Sequence, residues 1–146
     1  MTRINIVPVA ELADQHLVAE YREIFMVGSS LQRSIKSKSW GDTKNNLPKV
    51  FTLNTGHVKF FYDKGKYLHD RYIELRAEMA MRGMNPDPAR TFKAWQLPQE
   101  LYNSYVPTEA AMSIVRQRIK ERIALKPDWY RYTSNNNEIG THERSL

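Results

Sequence analysis

The chain has 146 residues, of which 41% are hydrophobic and 11% aromatic; this is enough for one packed core and excludes a mostly disordered chain. Its 22 Lys and Arg against 16 Asp and Glu give a net charge of +6, which favours an anionic partner, most often nucleic acid. No apolar run approaches the roughly 18 residues that a membrane span needs. No secretory signal is visible, so we expect a cytoplasmic protein without a membrane partner.

Cysteine is absent, which excludes disulfides, a thiolate nucleophile and cysteine-based metal sites. The histidines show no HExxH-type spacing; they are His16, His57, His69 and His142. These residues indicate a metal-poor domain.

Apolar residues at steps of three or four predict three helices. The first runs from about Val9 to Ile35. The second covers roughly Lys66 to Arg82 and is followed by Gly83, a residue typical of a left-handed helix end. The third begins near Thr108, a suitable N-cap, and stops before Pro127.

The connections between these helices are long and lack periodicity. Residues 40–46 and the Asn-Pro-Asp-Pro run at 85–88 are predicted to be loops. Val50–Leu53 and Val58–Tyr62 are candidate short strands, although neither alternates cleanly. No repeat or domain boundary is visible. We therefore predict a single, mainly helical domain with long irregular loops over residues 1–133, followed by a polar, frayed tail at 134–146.

The first helix separates an apolar stripe from a polar flank when its residues are plotted at about 100° each. His16, Glu20 and Glu23 fall together on that flank. The simplest interpretation is a solvated face with an i,i+4 pair between His16 and Glu20. The sequence gives even less support to a metal site formed by these three residues, because no second helix offers a matching carboxylate–histidine pair. The apolar stripe comprises Ala13, Leu17, Tyr21 and Ile24.

The third helix and its exit form a basic segment interleaved with aromatic residues. Guanidinium groups beside aromatic rings suit phosphate contact together with base stacking. The alternative is a basic surface helix whose following aromatics pack on the core. The segment comprises Arg116, Arg118, Lys120, Arg122 and Lys126, then Trp129, Tyr130, Arg131 and Tyr132.

Several longer blocks of the sequence resemble those of a known protein family. The N-terminal blocks are Met1-Thr2-Arg3-Ile4-Asn5, Glu11-Leu12-Ala13-Asp14-Gln15-His16-Leu17 and Ala19-Glu20-Tyr21-Arg22-Glu23. Later blocks are Gly56-His57-Val58, Phe60-Phe61-Tyr62-Asp63-Lys64, Ile73-Glu74-Leu75, Pro98-Gln99-Glu100 and Trp129-Tyr130. Together they resemble the phage pyrimidine-dimer DNA glycosylase family, also called the endonuclease V family of T-even phages, up to Tyr132.

The resemblance implies an all-α, three-helix, monomeric enzyme without metal or cofactor. Such enzymes remove a base from UV-damaged double-stranded DNA in a bacterial or phage-infected cell and then nick the backbone by β-elimination. The implied nucleophile is the α-amino group exposed when the initiator methionine is removed, here that of Thr2. Glu23 matches the acidic partner, Arg22 and Arg3 match phosphate- and lesion-contacting residues, and His16 matches a binding-site histidine.

The sequence departs from the family pattern on the flank of the first helix. At positions 25 and 26 the family pattern has Pro and Arg, whereas this chain has Phe25 and Met26. Three functions therefore stay open: a glycosylase/lyase for pyrimidine dimers, one for another damaged base or for abasic sites only, and a non-catalytic DNA-binding protein. The expected catalytic residues are Thr2, Glu23 and Arg22. The expected DNA-contacting residues are Arg3, His16, Tyr21, Met26, Arg116, Arg118, Arg122, Trp129, Tyr130 and Arg131.

Overall fold

A computed structural model describes residues 4–93 and 97–133. Within these ranges the protein is helical and has no β-strand, which confirms the all-α prediction; a single isolated bridge pairs Lys64 with Tyr102. The predicted tail at 134–146 lies outside the described residues. The helices are α1 (Asp14–Ile35), α2 (Trp40–Asn45), α3 (His57–Phe60), α4 (Gly65–Met81) and α5 (Glu109–Leu125), with 3-10 turns at Val9–Glu11 and Gln99–Leu101.

The residues predicted to end α4 and to begin and end α5 lie at those helix ends in the structure. Gly83, just beyond α4, has φ +84°, the left-handed conformation that glycine adopts without steric cost. At the start of α5, Thr108 Oγ1 accepts a hydrogen bond from the backbone N–H of Ala111 at 3.0 Å, which confirms the N-cap. The helix ends at Leu125, shortly before Pro127.

The predicted start of the first helix at Val9 is wrong. Val9–Glu11 forms one 3-10 turn, after which Leu12 and Ala13 have extended backbone with ψ 138° and 157°. Both of these side chains are buried, and the extended backbone that buries them separates the turn from the helix. α1 therefore begins at Asp14, whose carboxylate lies in the first turn, where the helix dipole favours negative charge.

Three predictions for the connections are also wrong. The predicted loop at 40–46 contains α2, and the candidate strand Val58–Tyr62 is α3 followed by turns. The candidate strand Val50–Leu53 is irregular. Gly56, at φ +98°, turns the chain into α3 so that two consecutive phenylalanines become buried. A short apolar run without alternation fits a buried strand and a buried helical turn equally well, so the pattern alone does not decide.

The core lies mainly between α1 and α4. The predicted apolar stripe is buried at every position: Ala13 lies just before α1, and Leu17, Tyr21 and Ile24 lie on it. From α4 it meets Leu68, Tyr72, Leu75 and Met79. α5 buries only Ala111 and Val115, so most of its surface faces solvent. No helix in the described part of the chain is long and apolar enough to cross a membrane.

Candidate active site

A pocket of about 220 Å³ lies where α1, α5 and the segments outside them meet. Five of the residues predicted for the site line it together: His16, Glu23, Arg118, Arg122 and Tyr130. The rest of the lining is Asn5, Ala19 and Ile119. The pocket thus brings a carboxylate, two guanidinium groups and two aromatic rings from distant parts of the sequence to one place.

Helical spacing explains how two helices supply this set. His16 and Glu23 are seven residues apart, which is two turns, and the small side chain of Ala19 between them leaves the space open. Arg118 and Arg122 are i,i+4 neighbours on α5. Two like charges at this spacing repel each other, so an anion bound between them is favoured.

His16 is the aromatic wall of the pocket on α1. Its ring stacks on that of Tyr130, with centroids 4.8 Å apart and planes inclined by 26°. Burial lowers the pKa of His16, the nearby charge of Arg122 lowers it further, and Glu20 opposes both effects. Burial and Arg122 thus favour the neutral form of the imidazole. Its Nδ1 is buried and has no hydrogen-bond partner among the described residues.

Tyr130 is held in place by hydrogen bonds to the first turn of α1. Gln15 donates through Nε2 to the carbonyl of Trp129 at 2.6 Å and accepts through Oε1 from the backbone N–H of Arg131 at 3.1 Å. The backbone N–H of Asp14 donates to the carbonyl of Arg131 at 2.7 Å. The chain after α5 is thereby fixed on both sides of Tyr130.

Glu20 does not belong to the pocket, although it shares the predicted flank with Glu23. It is fully buried and accepts two hydrogen bonds from Arg71, at 2.6 and 3.0 Å. It also accepts one from the backbone N–H of Asn5 at 3.1 Å. The interpretation of the flank as a solvated face is therefore wrong for Glu20, whereas Glu23 lines the pocket and is half-buried.

Three further predicted residues of α1 do not line the pocket. Tyr21 is buried in the core, where its hydroxyl accepts a hydrogen bond from Arg76 at 3.3 Å. Arg22 is exposed. Met26 is exposed as well, with 55% of its surface accessible to solvent.

The other cations and aromatics of the basic segment do not line the pocket. Arg116 forms a bidentate ion pair with Glu11, at 2.9 and 2.8 Å, and this pair does not line the pocket. Trp129 and Arg131 are exposed on either side of Tyr130. The segment after α5 therefore has one ring in the pocket and one ring facing solvent.

Thr2 and Arg3 lie outside the described residues. Three residues not predicted from the sequence also contribute: Asn5 lines the pocket, and His57 and Arg71 bind the segment that contains Asn5. The spacing of the apolar residues on α4 could have identified Arg71. It lies three residues after Leu68 and four before Leu75, so it places a cation on the apolar face of α4.

Comparison with protein-family models identifies the family of the chain. The model for pyrimidine dimer DNA glycosylase matches residues 1–92 of the 146. The chain belongs to the pyrimidine dimer DNA glycosylase family, and it is a DNA-repair glycosylase that acts on damaged DNA. The match includes the segment before α1 and, among the pocket residues, His16 and Glu23. Helix α5 lies beyond the matched residues. In the described ranges no group of His, Asp and Glu is suited to hold a metal ion.

Proposed function

We propose that the protein removes a damaged base from duplex DNA and then cleaves the backbone at the abasic site, through an imine formed by the α-amino group of Thr2. The observation that carries the proposal is the shared pocket, in which Glu23 lies with Arg118 and Arg122. Asn5 lines the same pocket and is only three residues from Thr2. This short separation along the chain supports a role for the N-terminal amine at the pocket.

The chemistry requires an unprotonated amine near neutral pH. An α-amino group is less basic than a lysine side chain, and neighbouring arginines disfavour its protonated form further. Attack of the amine on C1′ of the sugar forms the N–C bond and expels the base, which leaves with a proton. The sugar ring then opens: the C1′–O4′ bond breaks, O4′ takes up a proton, and the nitrogen and C1′ form a cationic imine. Loss of a proton from C2′ and departure of the 3′ phosphate then break the strand.

Glu23 is suited to two parts of this sequence. Its carboxylate can stabilise the positive charge that develops as the base leaves. It can also move protons during imine formation and elimination. Because the pocket excludes part of the solvent around Glu23, such electrostatic stabilisation is stronger there than in water.

The other groups of the pocket suit the DNA. Arg118 and Arg122 can bind phosphate oxygens on one side of the reacting sugar. The stacked pair of His16 and Tyr130 offers an aromatic surface against which an extruded nucleotide can pack. Trp129 extends that aromatic surface into solvent.

Met26 favours a second candidate for the substrate. An exposed apolar side chain stands at this position on α1, one turn beyond Arg22, where the family pattern has a cation. Elimination at an abasic site needs chiefly the amine and Glu23, whereas a dimer must also be bound and its base expelled. The alternative function is therefore a glycosylase/lyase for another damaged base or for abasic sites alone.

Borohydride trapping tests the proposal. Three oligonucleotides, which carry a pyrimidine dimer, an abasic site or an oxidised purine, are reacted under reduction, and the cross-linked peptide is mapped by mass spectrometry. We expect the cross-link at Thr2. A cross-link at a lysine would refute the assignment of the nucleophile, and no cross-link with any substrate would refute the imine mechanism. Protein that retains Met1 serves as the control and should not be trapped.

A further inference from the structure

The segment before α1 is fixed to the protein interior through its backbone. At residues 4–7, three backbone groups make hydrogen bonds to buried side chains of other elements. The backbone N–H of Ile4 donates to His57 Nε2 at 2.9 Å, that of Asn5 donates to Glu20 Oε1 at 3.1 Å, and the carbonyl of Val7 accepts from Arg71 at 2.6 Å. Polar side chains are thus used inside the core to hold a stretch of main chain.

His57 is the anchor closest to the N-terminus. It is 2% exposed, and Phe51 and Phe61 pack against its ring edge to face. Its Nε2 accepts from Ile4, so Nδ1 carries the proton and donates to the carbonyl of Thr52 at 2.7 Å. This second bond fixes both the tautomer and the orientation of the ring. The acceptor for Ile4 is therefore rigidly placed.

The second anchor is a buried ion pair. Glu20 and Arg71 are 0% and 3% exposed and form two charge-assisted hydrogen bonds. A buried ion pair contributes little net stability compared with apolar residues of similar size, and its best-attested use is to specify one arrangement. Here each partner also binds the main chain, Glu20 at Asn5 and Arg71 at Val7.

We propose that His57 and the Glu20–Arg71 pair are positioning residues that set where the N-terminal nucleophile enters the pocket; this inference rests on the proposed function. Thr2 precedes Ile4 by two residues, and a residue spans at most about 3.5 Å. Its amine is thus tethered within about 7 Å of the backbone nitrogen that His57 holds. Loss of the anchor frees the amine to leave the geometry for attack, although every reacting group is still present.

Two substitutions of His57 separate its two hydrogen bonds. His57→Gln can place an amide oxygen where Nε2 accepts from Ile4, whereas His57→Asn can keep the donor to Thr52 but has no acceptor for Ile4. We measure the trapping rate on abasic DNA at saturating enzyme, the DNA affinity and the thermal midpoint. Trapping by His57→Asn should fall at least ten-fold with unchanged affinity, because small misplacements of a reacting group are costly. His57→Gln should stay within about three-fold of the wild type.

Phe51→Leu is the control for stability. It removes ring contacts with His57 without touching the bond to Ile4, so it lowers the thermal midpoint but should leave the trapping rate near that of the wild type. Equal losses in Phe51→Leu and His57→Asn would overturn the proposal, because destabilisation alone would then explain them.

An insertion tests the inference without any change in the core. One glycine between Arg3 and Ile4 leaves the three backbone hydrogen bonds of residues 4–7 in place but lengthens the tether by up to about 3.5 Å. We expect trapping at least ten-fold slower and an unchanged thermal midpoint. Trapping at the wild-type rate would refute positioning by the anchors, while a wild-type cross-link that maps to the N-terminus would still support the proposed function. A wild-type cross-link to a lysine would refute the proposed function itself.

Discussion

Arg122→Gln should reduce the salt dependence of DNA binding, and Arg116→Gln should not. Arg122 lines the pocket, whereas the guanidinium of Arg116 is already paired with both carboxylate oxygens of Glu11. Each phosphate that a cation neutralises contributes about −0.9 to the slope of log affinity against log salt concentration. A cation that already has a carboxylate partner releases few counterions from DNA. The two arginines, six residues apart on one helix, are therefore matched variants with opposite expectations.

The size of the effect follows from the same rule. Without Arg116, five of the arginines expected to contact DNA give a wild-type slope of about −4.5, and Arg122→Gln should bring it to about −3.6. Between about 50 and about 200 mM salt, the wild type should thus lose about 3.5-fold more affinity than this variant. The five arginines are Arg3, Arg22, Arg118, Arg122 and Arg131.

Fluorescence anisotropy with an undamaged duplex, titrated at several salt concentrations, measures these slopes. Undamaged DNA is used because it isolates phosphate contacts from recognition of the lesion. Arg116→Gln should keep the wild-type slope within the error of the measurement. Equal slope changes in the two variants would refute the reasoning, because the pairing with Glu11 would then have no influence on DNA binding.

Three other predictions concern the pocket and α1. Glu23→Gln should lose strand cleavage by a factor of about 100 or more in single-turnover assays and retain duplex binding, because the amide keeps the shape of the carboxylate but not its charge. Met26→Arg should raise dimer cleavage about ten- to a hundred-fold through one charge-assisted contact and leave nicking of abasic DNA unchanged; equal changes in both activities would contradict this. The pKa of His16 is lowered in the folded state, so the unfolded chain takes up the proton first as the pH falls. The free energy of unfolding should therefore decline below about pH 6.5 in the wild type and less steeply in His16→Phe, as urea titrations can measure.

The long helices could be predicted from the sequence because their signals are local. The stripe at Leu17, Tyr21 and Ile24 has a helical period, and Thr108 caps its helix within one turn. The start of α1 could not be found in this way. The apolar period continues through Val9, but burial of Leu12 in extended backbone interrupts the helix, and that burial depends on the tertiary packing.

The site shows the same division between local and long-range information. That His16 and Glu23 share a face follows from their spacing, but the difference between Glu20 and Glu23 does not. Glu20 is buried because Arg71, far away in sequence, supplies its counter-charge, and no local pattern on α1 encodes that partner. The meeting of α1 with the arginines of α5 likewise depends on how the chain folds back on itself.

The hydrogen bonds that fix Tyr130 join positions more than one hundred residues apart, since Gln15 pairs with Trp129 and Arg131 across separations of 114 and 116 residues. Contacts of such long range form late, because the whole intervening chain must be ordered before they are gained. During synthesis on the ribosome, a growing chain that already carries the N-terminal amine and Glu23 still lacks the wall that Tyr130 provides. The complete pocket thus forms only in molecules whose chain has been synthesised beyond Tyr130 and folded.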